Sequence, residues 1–97
     1  MTLLADSDIK LSLESMDGWV FVDNTIQKEI LFDSYMASIN FINQLAEIAE
    51  KNNHHPDLLV GWCRINITFT SHDQGGVTMD CIQMANAIES FQNLQTK

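Results

Sequence analysis

The chain carries three histidines, and two of them, His54 and His55, stand side by side in the stretch NNHHPDL directly before its only proline, Pro56. The third, His72, follows 16 residues after Pro56. Imidazole is the side chain whose unperturbed pKa lies nearest neutrality, so such residues suit proton transfer at physiological pH. A polar pair after a helix is also ordinary surface material, where imidazolium complements the helix dipole. Carboxylates stand close by in sequence, Glu50 before the pair and Asp73 beside His72. Histidines with neighbouring carboxylates point to general acid–base chemistry. No Ser or Cys nucleophile pairs with a base from spacing alone. The same donors are ones that zinc accepts. Yet the chain has no His-x3-His and no Cys-x2-Cys spacing, and adjacent residues on an extended segment point to opposite sides. A metal-free site is the expectation.

Composition narrows the partners. The chain has 97 residues, enough for one domain with a single core, read here as spanning 1–97. Five Lys and Arg against 13 Asp and Glu give a net charge of -8, which opposes direct nucleic-acid binding because phosphates must be neutralised by cations. No apolar run approaches the roughly 20 residues that span a membrane. The N-terminus, MTLLADSDIK, lacks the basic region and long apolar core of a secretory signal. Cys63 and Cys81 are the only cysteines. Without a disulfide framework they read as two reduced thiols in an intracellular, cytoplasmic protein.

The elements that must hold the histidines follow from periodicity. Ile9, Leu13 and Met16 share one face of a short helix over Ser7 to Met16, with Ser7 as cap and Gly18 as stop. WVFVD and IQKEILF, joined by a turn at Asn24-Thr25, read as a hairpin with Ile26, Ile30 and Phe32 on one face. The segment SYMASINFINQLAEIAEKNN is the longest helix, capped by Asp33 or Ser34, with Met36, Ile39, Ile42, Leu45, Ile48 and Ala49 as its core stripe. It must end near Asn52 or Asn53, since Pro56 cannot continue a helix and His55 before it prefers extended geometry. CRINITFT then alternates, with Cys63, Ile65, Ile67 and Phe69 on one face of a strand beginning near Val60. Gly75-Gly76 forms a loop, and Thr78 opens a last helix with Ile82, Ala85 and Ile88 inward. Trp19 and Trp62 read as core or interface packing. The order is α-β-β-α-β-α, an antiparallel sheet with helices on one side: a two-layer α+β fold. The histidines then converge from a helix end, the loop after it and a strand end.

The combined pattern Glu50-x3-His54-His55-Pro56, Trp62, Ser71-His72-Asp73 and Gly75-Gly76-Val77-Thr78 closely resembles the pterin-4a-carbinolamine dehydratase family. Gly18-Trp19, Phe32, Tyr35 and Ala85 fit as well, so the resemblance covers the chain from about Gly18 onward. It implies a fourth short strand near His55–Leu58, making the order α-β-β-α-β-β-α. It implies a lyase that dehydrates 4a-hydroxytetrahydropterin to quinonoid dihydropterin in tetrahydrobiopterin recycling, with no metal or organic cofactor. His54, His55 and His72 would be the catalytic residues, His54 and His72 as the acid–base pair and His55 gripping the ring. Glu50, Pro56 and Asp73 would belong to the substrate-binding side. The implied partners are the pterin substrate, further copies in a homodimer or homotetramer, and an aromatic amino-acid hydroxylase in the same pathway.

Departures from the family pattern qualify this. Thr78-Met79-Asp80-Cys81 places cysteine where the family usually has aspartate and an aspartate one residue early. A carboxylate at that place would close a capping box or orient His72, so turnover is at stake more than fold. Ser71 replaces a usual threonine, and Gly61 a bulkier residue. The same fold also serves as a protein-binding module, either a dimerisation cofactor of a homeodomain transcription factor or an assembly factor for a carboxysomal carboxylase. A dehydratase for another pterin, as in molybdopterin metabolism, is a third reading.

Overall fold

The computed structural model describes residues 2–95. Met1, Thr96 and Lys97 of the single-domain reading lie outside the described residues. Three helices, α1 (Asp6–Leu13), α2 (Tyr35–Asn52) and α3 (Met79–Gln95), join four strands, β1 (Val20–Val22), β2 (Thr25–Leu31), β3 (Asp57–Gly61) and β4 (Arg64–Phe69). All strand pairs are antiparallel, in the spatial order β1-β2-β4-β3. This is the α+β architecture and the element order α-β-β-α-β-β-α that the sequence led us to expect.

Alternation along the strands explains the two layers. Ile26 and Ile30 of β2 register with Phe69 and Ile65 of β4, and Ile67 lies between them on the same face. All five are buried. Outward neighbours on the opposite face include Val20, Val22, Leu31 and Leu59, which stay exposed. The helices therefore cover one face only. Ile9 of α1, Phe41, Leu45 and Ala49 of α2, and Ile82, Met84, Ala85 and Ile88 of α3 complete the core. At its edge Lys28 forms an ion pair with Glu89 of α3, whose Oε1 also accepts the Trp19 indole N–H at 2.9 Å.

Several local expectations are corrected. Helix α1 begins at Asp6 after Ala5, which makes no side-chain cap bond, so Ser7 is not the cap. Asp6 and Asp8 in the first turn favour the dipole instead. The first hairpin turns at Asp23-Asn24, both with positive φ (50° and 60°), and Thr25 already pairs with Val22. Two consecutive left-handed residues match the twist of a two-residue hairpin. The long strand begins at Arg64. Val60 belongs to β3, Trp62-Cys63 make the reversal, and Cys63 has φ 60°. Cys63 is therefore a turn residue and not part of the inward stripe. Trp62, at the tip of that turn, is 82% exposed and is no core residue.

Helix α2 shows the same kind of adjustment. Ser34 is its cap, accepting from the Ala37 N–H at 3.0 Å. Its buried residues are Ser38, Phe41, Leu45 and Ala49. Ile39, Ile42 and Ile48 flank this stripe half-buried, and Met36 is exposed. Phe41 takes the centre because its ring packs between Phe32 and Phe91, with centroids 5.4 and 4.9 Å away. The largest aromatic surface decides which face turns inward.

Candidate active site

The histidine pair owes its position to how α2 stops. Asn53 adopts the left-handed region (φ 51°, ψ 40°), a conformation that asparagine tolerates well. The backbone N–H of His54 then donates to the Ala49 carbonyl at 3.2 Å and that of Asn53 to Glu50 at 3.3 Å. These bonds satisfy carbonyls that a helix end otherwise leaves unpaired. Pro56 sends the chain out extended into β3. His54 is thus pinned between a helix end and a strand start.

The third histidine rides on a turn after β4. Ser71 anchors it: its N–H donates to the Gly76 carbonyl at 2.8 Å, and its own carbonyl accepts from Gln74 at 3.0 Å and Gly75 at 2.8 Å. Gly75 sits at φ 77°, where a β-carbon is unfavourable. His72 and Asp73 are exposed at the outer end of this turn.

His54, His55, His72 and Asp73 line one cavity of about 340 Å³, together with Asn53, Thr70, Ser71, Gln74 and Asp80. The structure so joins all three histidines, which lie on two separate segments of the sequence. Glu50 and Pro56 are not part of the lining. Glu50 Oε2 reaches His55 Nε2 from outside at 3.1 Å, and Pro56 acts through the backbone course it sets. His72 Nε2 lies 3.7 Å from Asp57 at the start of β3. Thr70, Gln74 and Asp80 escaped sequence reasoning as lining residues. Adjacency to His72 was the only available signal for the first two, and Asp80 comes from another element altogether.

The deepest member is His54. Its ring stacks on Phe69, with centroids 5.7 Å apart and planes inclined by 12°. Its Nε2 lies 3.2 Å from the Sγ of Cys81, which is fully buried. Cys81 also neighbours the Ser71 and Thr78 hydroxyls, at 3.7 and 3.9 Å, and these two hydroxyls are 2.7 Å apart. Position 81 therefore meets His54 and not His72. Burial away from water is the main influence on His54 and holds its pKa below the usual histidine value. The Asp80 carboxylate partly offsets this, and the charges of His55 and His72 add to the lowering. A neutral imidazole in a polar cavity can accept a proton, and a second imidazole across the cavity can deliver one. Among the described residues no group of three or more His, Cys, Asp or Glu is placed to hold a metal ion. No helix of the described residues is long and apolar enough to cross a membrane.

Comparison with known proteins identifies the family. The family model described as pterin 4 alpha carbinolamine dehydratase matches residues 2–91. A protein of Thermosynechococcus vestitus is 36% identical over 88 residues, covering 91% of this chain and 93% of its own length. One from Sulfurisphaera tokodaii is 34% identical over 91 residues, covering 94% of this chain and 98% of its own. Both carry the name pterin-4-alpha-carbinolamine dehydratase provisionally. Among solved structures, a transcriptional coactivator/pterin dehydratase from Brucella melitensis superimposes with a TM-score of 0.84 at 33% identity, over 91% of this chain and 99% of that one. A pterin dehydratase-like RuBisCO assembly factor of the alpha-carboxysome shares the fold at a TM-score of 0.62 and 20% identity, over 74% of this chain and 83% of its own. Fold, histidine cavity and relatives thus lead to one assignment: the chain belongs to the pterin 4 alpha carbinolamine dehydratase family.

Proposed function

We propose that the protein dehydrates 4a-hydroxytetrahydropterin to quinonoid dihydropterin and water, in the recycling of a tetrahydropterin such as tetrahydrobiopterin. The observation that carries this reading is the convergence of His54, His55 and His72 on a single cavity. Expulsion of the C4a hydroxyl as water needs a proton delivered to a poor leaving group. Loss of the neighbouring ring N–H proton then closes the C=N bond, so one proton enters and one leaves. His54, kept neutral by burial, suits the base. His72, exposed at the rim, exchanges protons with solvent and suits the acid. His55 holds the ring with Asp73, and Glu50 braces His55 from outside. No resident cofactor takes part in this scheme.

The test is a stopped-flow measurement of 4a-hydroxytetrahydropterin decay. The wild-type protein should accelerate it, and His54→Ala or His72→Ala should each lose about 10²–10⁴-fold. An unaccelerated decay with wild-type protein sinks the enzymatic reading.

A second reading rests on the outward sheet face and the β3–β4 turn, where Leu31, Leu59 and Trp62 are 72%, 73% and 82% exposed. That surface and the open edge of β3 favour a homodimer or homotetramer. A related surface would serve a non-catalytic binding module, acting as a dimerisation cofactor or assembly factor. Light scattering of the purified protein together with the same decay assay separates the two: an oligomer that accelerates dehydration supports the enzyme, and one that does not supports the module. A cytoplasmic location alongside an aromatic amino-acid hydroxylase completes the proposal.

A further inference from the structure

We propose that Cys81 is the positioning residue for His54: its thiol holds Nε2 by a hydrogen bond, which leaves Nδ1 as the nitrogen offered to the pterin. The inference rests on the dehydratase reading for its last clause and on geometry alone for the rest. Sγ lies 3.2 Å from Nε2, well inside contact for a sulfur hydrogen bond. Cys81 is 0% exposed, so no water competes for that nitrogen from its side. Nδ1 of His54 has no hydrogen-bond partner among the described residues. Stacking on Phe69 keeps the ring from rotating away.

A thiol differs from the carboxylate common at this place in two physical respects. It can donate or accept, and for Nδ1 to take a proton Nε2 must carry the hydrogen and donate to Sγ, which leaves the S–H for the Ser71 and Thr78 hydroxyls at 3.7 and 3.9 Å. A carboxylate can only accept. A neutral thiol also adds no negative charge beside the ring. The charged and titratable groups that do act on His54 are Asp80 from α3, His55 on its own segment and His72 from the turn after β4. Asp80 alone favours the imidazolium, and it is outweighed by burial with the two histidines. Cys81 in this way keeps His54 free of a proton under conditions where a carboxylate partner would load it. The consequence is a base that keeps working at lower pH than one with an anionic partner.

Heteronuclear NMR of the imidazole nitrogens in full-length protein, titrated without any pterin, tests the positioning directly. Wild-type His54 should be dominantly the Nε2–H tautomer, with a midpoint below about 6.5. Cys81→Asp should raise that midpoint by about one pH unit or more, as a carboxylate within contact distance does. Cys81→Ser, also a two-way partner of similar shape, should keep the single tautomer and the low midpoint. Cys81→Ala should mix the tautomers. In the dehydration assay the acid limb of kcat for Cys81→Asp should move to higher pH by the same interval, with KM little changed. An aspartate variant that titrates like wild type, or an alanine variant that keeps the single tautomer, overturns the proposal. The dehydratase reading fails separately, if wild-type protein leaves pterin dehydration unaccelerated while the NMR behaves as expected.

Discussion

The Lys28–Glu89 pair and the histidine cleft each gather polar groups from separate elements, yet they are finished in opposite ways. Glu89 of α3 meets the Lys28 ammonium and the Trp19 indole, and the Lys28 side chain is only 10% exposed. The ammonium and the indole N–H both meet Oε1 of Glu89 inside the fold. Of the three histidines in the cleft only His54 is packed, against Phe69 and Cys81. His55 and His72 keep 53% and 74% of their side-chain surface, and each faces a single exposed carboxylate. Polar groups closed inside a fold serve stability, because an unpaired charge there is costly. Groups gathered at a cavity and left open to solvent remain available to a ligand. The comparison teaches where to look for each kind of loss.

The largest contrast lies between rate and stability at the two clusters. His72→Ala should remove about 10²–10⁴-fold of the dehydration rate and leave the thermal midpoint near wild type, because the ring is exposed. His54→Ala should lose rate to a similar degree and also lower the midpoint, since its ring packs in the floor of the cleft. Equal melting of the two variants would show that the cleft is not divided as described. Glu89→Ala should do the reverse of His72→Ala, destabilising the protein by about 3 kcal/mol as an uncompensated Lys28 charge remains. Its rate per folded molecule should hold, and urea unfolding beside single-turnover measurement checks both halves.

A smaller effect is expected at the turn that carries His72. A β-carbon on Gly75 meets nothing within 4 Å, so the strain of φ 77° alone opposes Gly75→Ala. About 1–2 kcal/mol should be lost in denaturant unfolding, and a neutral result would mean that the turn relaxes. Next comes pH. His54 has a lowered pKa in the native state, so below about 6.5 the unfolded chain binds a proton that the folded chain refuses. The contribution of this residue is therefore fully present above that pH and declines as pH falls toward its native pKa. Unfolding midpoints of wild type should drop more between neutral and mildly acidic pH than those of His54→Phe, and parallel curves would contradict this. Smallest of all is Glu50→Gln, which breaks only an exposed contact to His55. Less than about 1 kcal/mol is expected, and a larger shift in calorimetry would mark Glu50 as structural.

Much of this organisation was legible in the chain because it depends on short-range patterns. Alternation placed Ile65, Ile67 and Phe69 on one face of β4, and Asn53 before His-His-Pro marked the end of α2 within a residue. The second hairpin was less visible from periodicity: β3 shows no clean alternation, and its edge position leaves Leu59 and Val60 exposed. Only family resemblance supplied it. The core stripe of α2 came out rotated because the contest between Phe41 and the isoleucines is settled by rings on other elements, Phe32 and Phe91. At the site, the three histidines stood out by type and by their neighbours. Asp80 and Cys81 stood out only as a departure from the family pattern; that Cys81 meets His54 and Asp80 lines the cavity depends on which way α3 faces when it packs.

What the residues alone determined here is the alphabet of the chemistry and the local geometry that presents it: imidazoles near neutrality, a helix stop at Asn53, a rigid exit at Pro56, a glycine turn after His72. These are properties of a few consecutive residues. Tertiary structure alone decided that Cys81, 27 residues after His54, would become its partner, and that burial would hold that one imidazole below its usual pKa. Contact and desolvation are properties of the packed whole, and no local spacing encodes them.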